Sequence, residues 1–196
     1  MAEISIESIK KLKELSGVGL TDAKKALVEA DGDFDKALKA MREKGLTKAE
    51  KRGDRETREG IVDAYIHDGR LGAIVEVNCE TSFVAKTDEF KTLAHQIAMQ
   101  IASMNPLYVS EADIPADVKE AKMKELEANF KGPENMKAQI LEGQAKKAFS
   151  DKVLMNQPYI LDDSKTVEQF IKEAIAKTGE NITVKQFKRI ELGVVE

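Results

Sequence analysis

The chain has one cysteine, no tryptophan and two histidines in 196 residues, and aromatics make up only 5% of it. A lone Cys79 excludes an internal disulfide and any cysteine-rich zinc site, and it suits a reducing compartment. His67 and His95 are too few for most metal sites, so no metal and no cofactor is expected. No apolar run approaches the roughly 18 residues that span a bilayer. The opening Met1-Ala2-Glu3-Ile4-Ser5-Ile6 has no charged-then-apolar signal pattern, so a cytoplasmic protein without membrane contact is expected. A phosphate-binding loop is also missing. Gly17-Val18-Gly19 follows a predicted helix rather than a strand and has no Lys-Ser/Thr pair after it, so it reads as a tight turn.

What is present suits a soluble globular chain: 42% hydrophobic and 34% charged residues. That length is one domain, or a small module in front of a larger one. A net charge of -4 and a pI near 5.5 argue against nucleic acid as the main partner and favour protein or small-molecule partners.

The apolar spacing predicts a helix over 6–15 (Ile6, Ile9, Leu12, Leu15) with Ser5 before it as a cap. A second helix, capped by Thr21, follows through Ala23, Ala26, Leu27 and Ala30. A third runs through Phe34, Ala37, Leu38 and Met41 and is expected to end at Gly45. Residues 1–46 therefore read as a minimal three-helix module. From Thr47 to Glu59 nine of thirteen residues are charged and no apolar stripe runs through them, which predicts a linker or a solvated helix at the domain boundary.

Residues 60–196 read as an α+β domain. Ile61–His67 and Arg70–Val77 flank Asp68-Gly69, the strongest short signal for a β-hairpin. A helix is predicted from Asp88 to Met104, broken by Asn105-Pro106. Pro115 and Gly132-Pro133 then delimit a helical hairpin over 116–150. Thr166 and Gln169 form a capping box for a last helix, and Thr183–Leu192 alternates like a third strand. The predicted whole is a three-stranded antiparallel sheet packed with helices, preceded by the three-helix module.

Asn78-Cys79-Glu80-Thr81-Ser82-Phe83-Val84-Ala85 lies on the connection between a predicted strand and a predicted helix. Connections between rigid elements are good places for partner-contacting side chains, and Phe83 there reads either as an anchor or as a residue tucked, with Val84, under the sheet. No catalytic set converges. Cys79 falls within the strand's apolar alternation and reads as a small core residue, His95 reads as a surface residue, and Glu76, Glu80, Lys146 and Lys147 read as solvated charges. The residues alone thus describe a non-enzymatic, two-part binding protein.

Leu15-Ser16-Gly17-Val18-Gly19-Leu20-Thr21-Asp22-Ala23-Lys24-Lys25-Ala26-Leu27 resembles the N-terminal signature of the elongation factor Ts family, and Asn78–Ala85 resembles its N-C-x-T-D-F-V-A motif. Ile97-Ala98-Met99, Asn105-Pro106, Glu142-Gly143, Gln157-Pro158-Tyr159 and Gly179-Glu180-Asn181-Ile182 follow in the family's order. The resemblance implies a nucleotide exchange factor for elongation factor Tu, with a ubiquitin-associated-like module that docks on the partner's GTPase domain and a core that reaches towards the partner's magnesium site. It implies partner contacts at Lys13, Val18, Gly19, Leu20, Thr21, Thr81, Ser82, Phe83 and Val84, with Phe83 as the wedge. Three departures stand out. Ser82 replaces the family's Asp, Leu20-Thr21 replaces a common Met-Met pair, and Gln96 and Gln100 stand where His is frequent. Long members have two related subdomains packed through their sheets, whereas this chain carries one, so a two-fold homodimer through the sheet is expected. Val184, Ile190 and Leu192 are expected on one face of the third strand and Phe187 on the other. A reading of another class is an adaptor whose three-helix module binds some other protein and whose α+β domain is not catalytic.

Overall fold

A computed structural model describes residues 4–16, 19–133 and 136–194. Val18, with Gly17, lies outside the described residues. The elements are α1 (Ile6–Ser16), α2 (Leu20–Glu29), α3 (Phe34–Glu50), β1 (Glu59–His67), β2 (Leu71–Cys79), α4 (Ser82–Ala85), α5 (Asp88–Met104), α6 (Ala116–Ala128), α7 (Lys137–Phe149), β3 (Pro158–Tyr159), β4 (Asp162–Thr166), α8 (Val167–Thr178) and β5 (Ile182–Glu191). The α+β class holds. The antiparallel sheet has the order β1-β2-β5, and β3-β4 form a separate two-stranded ribbon that the sequence reading did not contain. Two compact units result: Met1–Asp63 with Glu76–His95 and Glu168–Val184, and Ala64–Val75 with Gln96–Val167 and Lys185–Glu196.

In the first unit α1, α2 and α3 enclose Ile9, Leu12, Ala23, Ala26, Leu27, Ala30, Ala37 and Met41. Four of these eight are alanines, and small side chains let three short helices approach closely enough to shed water. The ends follow local chemistry. Ser5 Oγ accepts from Ser8 N (3.0 Å), and Asp33 Oδ1 accepts from Lys36 N (3.0 Å) as α3 begins. Asp31 (φ 54°) and Gly32 (φ 85°) turn the chain between α2 and α3, with Gly32 N donating to Leu27 O (2.8 Å).

Two helix ends differ from expectation. Gly19, not Thr21, is the N-cap of α2, without any side-chain bond, and Thr21 stands exposed in the first turn. Helix α3 does not stop at Gly45 but runs to Glu50, taking up the first four residues of the charged stretch. A Cβ on Gly45 would stand 3.3 Å from Ala176 Cβ of α8. The glycine is therefore a point of close packing within a continuing helix, and packing outweighs the roughly 1 kcal/mol that glycine costs relative to alanine there.

The hairpin turn forms as predicted: Asp68 (φ 50°) and Gly69 (φ 65°) are both left-handed, and Arg70 N donates to His67 O (3.0 Å). On β2, Ala73, Val75, Val77 and Cys79 are buried in strict alternation, and on α5 Phe90, Leu93, Ala94, Ile97, Ala98 and Ile101 are buried at helical spacing. Gly60 permits β1 to close on β2 beside the Asn78 motif, since a Cβ there would lie 2.3 Å from Val77 O.

In the second unit Ile66, Ile74 and Ile190 are 71%, 47% and 76% exposed, an uncovered apolar surface carried by all three strands. The faces of β5 differ from simple alternation. Val184 is buried while Ile190 is exposed, and Arg189 Nε donates inward to Ala102 O (2.9 Å). Helices α6 and α7 pack on each other as the predicted hairpin. Among the residues of these two helices only Leu141 is buried.

Candidate functional site

The Asn78 motif leaves the buried end of β2 and makes one helical turn. Thr81 is extended (φ -129°, ψ 151°) and caps α4, its Oγ1 accepting from Val84 N (3.4 Å). Thr87 Oγ1 closes the other end by donating to Val84 O (2.8 Å) and accepting from Phe90 N (3.3 Å), which starts α5. A four-residue helix has almost no stability of its own, so its direction is set by these caps and by what it buries. It buries Val84 and Ala85 and leaves Phe83 80% exposed. Of the two readings for this apolar pair, the tucked one describes Val84 and the outward one describes Phe83.

Behind the turn the first unit is knitted by two glutamates. Glu180 accepts from Thr81 N (3.0 Å) and from Thr81 Oγ1 (2.6 Å), while Glu80 accepts from Asn181 N (2.7 Å). The Asn181 N–H bond is the main reason Glu80 sits below the ordinary carboxylate range, with burial opposing it and the Arg55 guanidinium at 3.4 Å adding to it. Asn181 is itself buried, and its Nδ2 donates to Gly53 O (3.2 Å) and Arg55 O (2.8 Å). Cys79 is buried with Sγ donating to Thr81 O (3.2 Å), and burial pushes its thiol up, away from the reactive thiolate. Among the described residues no cluster of three or more His, Cys, Asp or Glu is placed to hold a metal ion.

Thr81, Ser82 and Phe83 are thus exposed on one turn with Val84 beneath them, and Lys13, Gly19, Leu20 and Thr21 are exposed on α1 and at the start of α2 in the same unit. Gln96 is half-buried, and Gln100 is fully buried, so it belongs to the core rather than to an outer surface. Sequence reasoning missed Glu180 and Asn181. Their signal was the Gly179-Glu180-Asn181 corner after α8, where Gly179 takes φ 80° and turns both side chains back on the chain.

A family model described as elongation factor TS matches residues 7–194. Over 193 residues the chain is 51% identical to the elongation factor Ts of Thermotoga maritima, covering 97% of each. It is 48% identical over 194 residues to that of Thermoanaerobacter sp., covering 97% of this chain and 95% of the relative. With that of Rippkaea orientalis it shares 48% over 199 residues, 98% of this chain and 80% of the relative. On a match that spans nearly the whole chain, together with an Asn78–Ala85 turn that turns its aromatic outward, the chain belongs to the elongation factor Ts family of translation elongation factors.

Proposed function

We propose that this chain is a guanine nucleotide exchange factor for elongation factor Tu: it binds Tu carrying GDP, disturbs the magnesium and phosphate site and promotes GDP release, so that GTP can bind. The observation that carries this reading is Phe83, 80% exposed on a turn whose neighbours Val84 and Ala85 are buried. An aromatic held in water by a capped turn is ready to enter a pocket on a partner without first paying for ordering.

Lys13, Val18, Gly19, Leu20 and Thr21 of the three-helix module at 1–46 contact the GTPase domain. Thr81, Ser82 and Phe83, with Val84 anchoring the turn from below, act at the nucleotide site. Magnesium has oxygen ligands and bridges the terminal phosphates, so a wedge that shifts the elements around it removes much of what retains the nucleotide. The metal is the partner's. No covalent bond is made or broken, so the chain is an exchange factor of the cytoplasm and not an enzyme in the usual sense. Linkage sets the thermodynamics: the factor weakens nucleotide binding by the same ratio as nucleotide weakens its own binding.

Catalytic amounts of this chain are expected to accelerate release of labelled GDP from elongation factor Tu while the equilibrium preference between GDP and GTP stays unchanged. A release rate equal to that of Tu alone overturns the reading and favours an adaptor.

The same proposal includes a two-fold homodimer. Ile66, Ile74 and Ile190 leave an apolar sheet surface in water, and a second copy is the simplest self-complementary cover for it. Light scattering at micromolar concentration is expected to give a mass above the 21.7 kDa of one chain, falling on dilution. A constant mass of one chain rules the dimer out.

A further inference from the structure

Two carboxylates cross between the end of β2 and the α8–β5 corner, and each binds the backbone N–H that follows the other. Glu80 takes Asn181 N at 2.7 Å, and Glu180 takes Thr81 N at 3.0 Å. Glu180 also holds Thr81 Oγ1 at 2.6 Å, so both its oxygens act on one residue, 99 positions away in the chain. That residue is the cap of α4. Charge-assisted bonds to a backbone N–H and a hydroxyl are the strong kind, and here they fix the φ of Thr81 and the direction of the hydroxyl whose lone pair receives Val84 N.

The corner that carries Glu180 is held in turn. Thr178 Oγ1 donates to Ala174 O (2.9 Å) and accepts from Glu180 N (3.4 Å), and the Asn181 side chain is spent on Gly53 O and Arg55 O. The clasp therefore joins the end of β2, the corner after α8 and the connector that follows α3, all within the first unit. It spans residues that a one-turn helix cannot organise by itself.

We propose that Glu180, with Glu80 as its reciprocal partner, is the positioning residue for Phe83: its carboxylate locks the Thr81 cap and so fixes the direction in which α4 presents the aromatic. This rests on the exchange-factor reading for its effect on Tu, but not for its effect on the turn. Glu180→Ala removes both bonds. In Glu180→Gln the amide oxygen still accepts from Thr81 N, and the NH2 donates to Oγ1 where the hydroxyl had donated to the carboxylate, so that variant keeps both contacts with the second one reversed in direction.

The test has two arms on the full chain. In the first, amide hydrogen exchange is followed by NMR on the factor alone. Thr81 and Val84 are expected to exchange about tenfold faster in Glu180→Ala than in wild type, with α5 and β2 unchanged and Glu180→Gln close to wild type. Equal protection of both amides in Glu180→Ala overturns the proposal. In the second arm, GDP release from Tu is measured against factor concentration. Glu180→Ala is expected to lower the saturating rate about tenfold with little change in the concentration giving half that rate, and to have no further effect in a Phe83→Ala background. An equal loss in both backgrounds means that Glu180 acts elsewhere, and also overturns it. If the wild-type chain fails to accelerate release at all, the exchange-factor reading falls, and the amide arm still decides whether Glu180 holds the turn.

Discussion

Phe83→Ala is expected to slow stimulated GDP release by roughly 30-fold, the rate equivalent of the ~2 kcal/mol that an aromatic anchor contributes once it fills a partner's pocket. The fold should not register the change. Phe83 is 80% exposed in the free chain, so its removal leaves no cavity, and the α4 turn keeps Thr81 as its cap and Val84 as its buried anchor. Stopped-flow release of a fluorescent GDP analogue, beside a thermal unfolding curve, separates the two effects. Ser82→Ala is the control. Ser82 is exposed on the same turn, and loss of its hydroxyl removes far less contact area than loss of the ring, so its rate is expected to stay within about threefold of wild type. Equal damage from the two substitutions would move the site's emphasis from the ring to the backbone or hydroxyls of the turn.

The pair Phe83-Val84 also marks where sequence reading stops. Periodicity places both residues on the connection between β2 and α5 but cannot say which of two adjacent apolar side chains goes inward. The choice is made by the Thr81 cap, and that cap is held by Glu180 from the far end of the chain. Long-range polar contacts of this kind leave no local pattern. Elements with a strong local cause were legible: the Asp68-Gly69 turn, whose two left-handed residues suit Asp and Gly, and α5, whose apolar spacing and Asn105-Pro106 stop gave both ends.

The missed features have identifiable physical reasons. Helix α3 passes Gly45 because close packing against Ala176 outweighs a local breaker. Strand β4 is Asp162-Asp163-Ser164-Lys165-Thr166, with no apolar alternation, and β3 is two residues long, so neither raises a strand signal. On β5 the inward turn of Arg189 towards Ala102 O breaks the simple alternation that would put Val184 and Ile190 together. At the candidate site, motif and position pointed to the turn Thr81 to Val84, of which the structure shows Thr81, Ser82 and Phe83 exposed and Val84 buried, whereas the Glu80–Glu180 clasp needed the fold.

Gln100→Leu is expected to cost about 2 kcal/mol or more of stability, although leucine fits the size of the site and the helical apolar spacing. Gln100 is fully buried in the second unit. Its Nε2 donates to Gln157 Oε1 (3.1 Å) and to Pro158 O (3.1 Å), and its Oε1 accepts from Ile160 N (2.8 Å). Gln157 continues the network by donating from Nε2 to Met104 O (3.2 Å) and Asp151 O (2.7 Å). The two amides together pin the β3 strand and the loop after it to the end of α5. Among the described residues no buried side-chain nitrogen or oxygen lacks a partner, so the network is complete as it stands. Leucine would strand the buried Gln157 Oε1, at roughly 1–3 kcal/mol, and would also leave the part-buried N–H of Ile160 and carbonyl of Pro158 without their partner, at a smaller cost each because water reaches them. Gln100→His, which keeps one donor and one acceptor, is expected to fall between leucine and wild type. Urea unfolding followed by circular dichroism measures all three. If the leucine variant loses less than about 1 kcal/mol, water has entered and repaired the network, and the pairing of Gln100 with Gln157 is not what fixes β3 in place.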